Sequence, residues 1–312
     1  MTGGPGAPSE RTRLAVAGAR ASTAAMLGKQ PRRDVILNAA FAALLLLAVL
    51  ISLAGLAALL IQAFVKGAPA FSTELFTNGP STLHPEDAGF RPAIIGSLQL
   101  IAGVFLFVVP VGVGAAIHLE EYADKTRWWN RLIEVNIQNL AAVPSIIYGI
   151  LGLAFIVRGP LDLGFILVAG SLTLALLVLP IVIIAAREAL RAVPDSIRQG
   201  SLALGATKWQ TTRRQVLPAA IPGIATGVIL AVSRALGEAA LLLLVGATVF
   251  ITFDPTPFSG YSAMPVQIFN YAVAPQEELR ALAAAGIIVM LVVLLAMNSF
   301  AIWLRNRYEQ RW

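Results

Sequence analysis

Six apolar runs dominate this chain, at 35–65, 94–118, 132–157, 161–185, 219–251 and 281–304. A helix needs about 20 apolar residues to cross the hydrocarbon core of a bilayer. In lipid the backbone must satisfy its own hydrogen bonds, and a helix does so within each run. The sequence therefore predicts an all-α polytopic membrane protein with six transmembrane helices. Composition agrees: 57% of the residues are hydrophobic and 13% charged, against about 25% charged in soluble domains. Pro110, Pro144 and Pro180 fall inside runs and mark kinks or close helix contacts, which membranes tolerate.

The net charge of +6 does not indicate nucleic acid, because the basic residues sit in short blocks between the runs. Their distribution instead sets topology. Segments 1–34, 125–131, 187–214 and 305–311 carry 6, 3, 6 and 3 Lys or Arg, 18 together, while Lys66, Arg91, Arg158 and Arg280 make 4 on the other side. Both termini are thus expected in the cytoplasm. Residues 1–34, rich in Gly, Ala, Ser, Pro and Arg, read as a disordered tail. The 35–65 run exceeds the roughly 7–15 apolar residues of a signal peptide, so it reads as an uncleaved first helix. Residues 66–312 then form the main transmembrane domain, with a long cytoplasmic loop at 187–218. No cysteine is present, which excludes disulfides, thiolate metal sites and a Cys nucleophile.

That loop carries a pattern. Pro194 suits the start of a helix, and Ile197, Ser201 and Leu204 share one helical face. Gly205 is placed to end the helix in a left-handed conformation. Thr207-Lys208-Trp209-Gln210 has the form of a capping box, and a second helix is expected to reach Leu217-Pro218. The outer segment 252–280 holds Pro255, Pro257, Pro265 and Pro275 beside aromatics and reads as structured.

The loop resembles the EAA motif of ATP-binding-cassette importer permeases. Gln199-Gly200-Ser201 stands where EAA is expected, Gly205 matches, and Leu217-Pro218 follows at the family's spacing. Gln199 lacks the acidic charge and Gln215 replaces the usual isoleucine. Read without the resemblance, the same loop is an interfacial helix hairpin. Further stretches are similar to phosphate importer permeases of the PstA type. They are 117–123 (IHLEEYA), 142–149 (AVPSIIYG), 204–209 (LGATKW), 217–224 (LPAAIPGI) and 234–238 (RALGE). The family usually continues Thr-Ala-Pro after the last; here Ala239-Ala240-Leu241 follows. The resemblance implies the MetI-like fold of type I importers and a docking role for Gln199, Gly200, Ser201 and Gly205. It also implies a second homologous permease, two ATPase subunits carrying ATP and Mg, and an extracytoplasmic phosphate-binding protein in a bacterial inner membrane. No cofactor is then bound by this chain itself.

A charge near the middle of a span costs roughly 3 kcal/mol on insertion scales, so Arg234 in the fifth run invites explanation. Glu238 lies four residues on and therefore shares its helix face. Gly223 and Gly227 then form a GxxxG pair on that side, suited to close helix packing. Two readings stay open: Arg234 meets an anion with its forked donors, or Arg234 and Glu238 are a structural ion pair. Glu134, Asn136, Gln138 and Asn139 open the third run and read as snorkelling or capping groups, with the lining of an inner vestibule as the alternative. Trp128, Trp129, Trp303 and Trp312 suit an aromatic belt.

No HExxH, GxSxG or Walker A motif occurs, so the chain is read as no enzyme and not as its own ATPase. A permease for molybdate or sulfate, and an ion-coupled secondary transporter, remain alternatives.

Overall fold

A computed structural model describes residues 32–308 apart from 249. Residues 1–31 of the expected tail, and Trp312 of the expected belt, lie outside them. The chain divides into two units, Met1–Ile61 and Gln62–Trp312. The first holds most of α1 (Arg32–Gly67), the helix of the first apolar run, which starts three residues before the run itself.

The second unit is predominantly helical. Its helices are α2 (Arg91–Ile117), α3 (Trp128–Ala141), α4 (Ser145–Gly152), α5 (Leu167–Arg191) and α6 (Asp195–Ala203). They continue as α7 (Lys208–Leu236), α8 (Ala240–Leu244), α9 (Met264–Ala272) and α10 (Glu277–Tyr308). Among the described residues five helices are long and apolar enough to cross a membrane, and α3 with the stretch from Ser145 to Val157 makes a sixth if that bent pair is one crossing.

The centre is α5, whose Leu174, Leu177, Val178, Val182 and Leu190 are buried. Two helices approach it closely because small residues line the contacts. α2 runs parallel to α5, with Gly103 against Ser171 and Gly112 against Val182. α7 runs antiparallel, with Gly223 and Gly227 against Ala189 and Ala185; a Cβ on Gly223 would stand 2.7 Å from the Ala189 methyl. The packing role of the GxxxG pair follows from this geometry. α10 joins through Asn298, which hydrogen-bonds Ser233 at 3.2 Å, and through Gly286 beneath the Phe90 ring.

Three runs depart from simple spans. The third is not one straight helix: α3 and the segment after Pro144 meet at 102°. Proline has no N–H and disfavours helix in the residue before it. The fourth begins at Leu167, since 161–166 is a turn with Asp162 and Gly164 at positive φ, and it continues to Arg191. Arg187 and Arg191 are therefore helical rather than loop residues. The fifth run, expected to reach residue 251, unwinds after Leu236. At Gly246 φ is +95° and the Phe165 side chain lies where a Cβ would be. Any side chain there would meet both a strained backbone and a clash.

The chain then forms a strap over the N-terminal ends of α2 and α5. Ala247 bridges Tyr261, whose ring is fully buried. Ser259 O accepts from Leu167 N at 3.1 Å, and Pro255 O accepts from Gln99 Nε2 at 2.8 Å. Arg91 forks onto Asp254 at 2.8 and 3.0 Å, and those hydrogen bonds hold the Asp254 carboxyl below its ordinary range. Both partners are exposed, so the pair contributes little to stability. The 252–280 segment is structured, and its order comes from the buried strap together with α9.

Candidate functional site

Two places in the second unit combine polar side chains with unusual backbone. One is the hairpin at the C-terminal ends of α2 and α5. α6 starts one residue after Pro194 and ends at Ala203, and Gly205 follows at φ +83°. Its surroundings are open, so glycine is needed for the backbone conformation and not for space. Thr207 and Gln210 form the capping box: the Gln210 N–H donates to Thr207 Oγ1 at 3.3 Å, and the Thr207 N–H donates to Gln210 Oε1 at 2.9 Å. The helix that begins here does not stop at Pro218. It passes through a π-turn at Thr212–Val216 and continues as the fifth span. Proline is accommodated in the first turn after that register shift.

Gln199 and Gly200 are exposed on α6. Ser201 is half-buried, and its Oγ lies 2.9 Å from Thr211 Oγ1, which ties the two arms of the hairpin. Leu202, Leu204 and Trp209 are uncovered, Leu204 at 91% exposure. A groove of about 470 Å³ runs between the arms, lined by Ile197, Gly200, Ser201, Leu204 and Gln210 among others. Exposed apolar side chains around a groove mark an interaction surface.

Beside the hairpin lies an ionic network that the sequence reading missed. α2 continues through a π-turn, His118–Tyr122, which carries Glu120 and Glu121. Glu120 is 5% exposed and accepts from Lys125 Nζ at 2.7 Å and Arg191 Nε at 3.0 Å, with Arg187 Nε at 3.5 Å. Glu134 on α3 takes Arg187 at 3.0 Å and Arg191 at 3.4 Å. It is therefore a partner in the network and not a snorkelling or capping group. Glu121 is paired with Arg198 of α6 at 2.8 Å. Arg187 and Arg191 stand four apart and so share a helix face, and an acidic pair closes the second apolar run. Those two sequence features were the available signal; the topological reading used the arginines only as a count.

The second place is where the third and fifth runs break. α4 and α8 pack together, with Gly149 against Leu241 and Leu244. Tyr148 on α4 donates to Leu140 O at 2.9 Å across the bend. Arg234 sits in the last turn of α7 and is exposed. The negative end of the helix dipole there favours its charge. Glu238 is not on this helix: α7 ends at Leu236, and Glu238 lies half-buried in the unwound stretch. The shared helical face expected for the two charges does not exist, and the ion pairs among the described residues do not include Arg234–Glu238. Gly227 and Ala231 are buried, while Arg234, two turns past Gly227, is not.

Comparison with known proteins identifies the family and the fold. Residues 108–311 match the family described as binding-protein-dependent transport system inner membrane component. A probable ABC transporter permease of Bacillus subtilis, YqgI, is 30% identical over 80% of this chain and 90% of its own length. The phosphate transport system permease protein PstA of Yersinia pestis is 34% identical over 78% of this chain and 81% of its own. PstA 1 of Mycobacterium tuberculosis is 35% identical over 70% of each. Among solved structures, a chain of a bacterial alginate ABC transporter superposes with a TM-score of 0.66 over 89% of this chain and 98% of its own, at 18% identity. A chain of the MetNI methionine ABC transporter gives 0.56 over 70% of this chain and 97% of its own, at 16% identity. These two support the MetI-like fold alone. The chain belongs to the family of binding-protein-dependent transport system inner membrane components, as an importer permease subunit of the PstA type.

Proposed function

We propose that this permease conducts inorganic phosphate, with Arg234 as its anion-contacting residue, and that the α6 hairpin docks on an ATPase. The observation that carries the first part is the unwinding of the fifth span directly after Arg234, against the bent third span. Irregular backbone at membrane depth persists only where protein buries it or where it lines a cavity, and interrupted helices build transporter sites in this way. Arg234 is left exposed at that break, with forked donors that suit tetrahedral oxyanions. Glu238, with no cation within 4.0 Å among the described residues, keeps negative potential beside it. A pathway must release what it binds.

The second part rests on the capped hairpin with its exposed Leu202, Leu204 and Trp209. Gln199, Gly200 and Ser201 face or flank the groove, and Gly205 sets its turn. In this reading ATP and Mg belong to two partner ATPase subunits, a second permease completes the pathway, and a phosphate-binding protein delivers substrate from outside. Both termini are cytoplasmic in a bacterial inner membrane.

The test is uptake into proteoliposomes holding the complete complex and its binding protein. Radiolabelled phosphate should enter only with ATP inside, and excess sulfate or molybdate should not compete. Competition by either would reassign the anion. Uptake driven by an ion gradient without ATP would overturn the importer assignment.

A further inference from the structure

The docking helix α6 is joined by backbone to α5 on one side and to α7 on the other. α2 reaches it only across space, since Glu121 and Arg198 are 77 residues apart in sequence. We propose that Arg198 and Glu121 are positioning residues for energy coupling, whose half-buried pair makes α6 and the inner end of α2 one mechanical unit. This rests on the docking role given to the hairpin above.

Arg198 is built into its place. A guanidinium has five N–H donors, and here each has an acceptor. Nε and Nη2 donate to Glu121, at 3.2 and 2.8 Å. Nη2 also reaches Leu190 O at 2.8 Å, while Nη1 reaches Val193 O at 2.6 Å and Asp195 at 3.2 Å. The carbonyl at 190 lies in the last turn of α5, where a helix leaves acceptors unsatisfied, and that at 193 lies two residues beyond its end. One side chain thus caps α5, holds α6 and grips α2. Its side chain is 18% exposed and that of Glu121 8%, so salt screens the pair weakly.

The neighbouring contacts point the same way. Glu120, next in sequence, takes Arg191 and Arg187 of α5. Lys208, at the start of α7, lies 5.2 Å above the Tyr122 ring. Three consecutive residues of one π-turn therefore reach α5, α6 and α7. A displacement of α6 reaches α2 through the π-turn and runs along the close α2–α5 contact at Gly112 and Gly103. Lysine at 198 has no fork to serve both a carboxylate and two carbonyls.

The chain has no cysteine, which makes a direct test available. In assembled complexes, Glu121→Gln should lower phosphate uptake per ATP hydrolysed about tenfold, because removing one partner leaves the half-buried Arg198 charge without its carboxylate. The Glu121→Cys/Arg198→Cys variant should hydrolyse ATP with similarly poor uptake. Bridging its two thiols with a short bifunctional thiosulfonate should raise uptake per ATP back toward wild type, and reductant should reverse the gain. A merely structural role predicts loss of assembled complex and no rescue by the bridge. Wild-type uptake per ATP in Glu121→Gln, or a bridged variant no better than the unbridged one, overturns the proposal. Should the double variant not assemble, Glu121→Gln alone decides. Failure of the wild-type chain to bind an ATPase would instead sink the docking role itself.

Discussion

At the scale of single residues the proposed anion contact rests on Arg234. A guanidinium within an apolar run costs roughly 3 kcal/mol on insertion scales, and part of that cost is offset by the C-terminal helix dipole. Its carboxylate neighbour does not offset the rest, because Glu238 lies beyond the helix end. An exposed Arg at a helix break, with no ion pair among the described residues, fits a binding role better than a structural ion pair. Arg234→Ala should therefore leave the amount of assembled complex unchanged and lower phosphate uptake about ten- to a hundredfold, the range for losing one hydrogen bond to a charged group. Arg234→Lys should recover little, since an ammonium offers a point charge in place of the fork. If the pair were structural, Arg234→Ala and Glu238→Gln would each lower complex yield, and combining them would restore both yield and uptake. Near-wild-type uptake in the double variant would remove Arg234 from the pathway.

At the scale of elements the hairpin shows which constraint acts where. Gly205 stands in open space at φ +83°, so substitution there tests backbone conformation with no steric clash. A β-branched residue in the left-handed region costs roughly 1–2 kcal/mol, whereas asparagine tolerates it. Gly205→Val should disorder the turn and uncouple ATP hydrolysis from uptake, while Gly205→Asn should keep most coupling. The ratio of phosphate taken up to ATP hydrolysed, measured for both variants, separates the two. Equal, normal coupling in both would count against a docking role for this turn.

At the scale of the whole molecule the open question is orientation. The charge imbalance of 18 to 4 is the ground for expecting the hairpin on the cytoplasmic side and the strap outside. Labelling has to use positions that reagent can reach. Ser262, within the strap segment, is 1% exposed and unsuitable, whereas Leu83 and Phe258 are 89% and 79% exposed and Leu204 is 91% exposed. Single cysteines at Leu83 and Phe258 should react with an impermeant thiol reagent in intact cells, and one at Leu204 only after permeabilisation. The reverse pattern would invert the molecule.

The amino-acid sequence by itself determined whatever depends on local composition or short spacing. Apolar length gave the membrane spans, and the GxxxG spacing marked a face for close packing whose partner helix, α5, only the fold supplies. Thr207 with Gln210 specified a capping box, and Gly205 a left-handed turn, because both act through backbone geometry within a few residues. Tertiary structure alone decided what depends on partners distant in the chain. The fifth run looks continuous to residue 251, but it unwinds after Leu236, where α8 packs on α4 and Phe165 occupies the space beside Gly246. Arg198 reads as one more topological charge until folding brings Glu121 from 77 residues away. A buried charge takes its role from the groups that compensate it, and those are fixed only once the helices are packed.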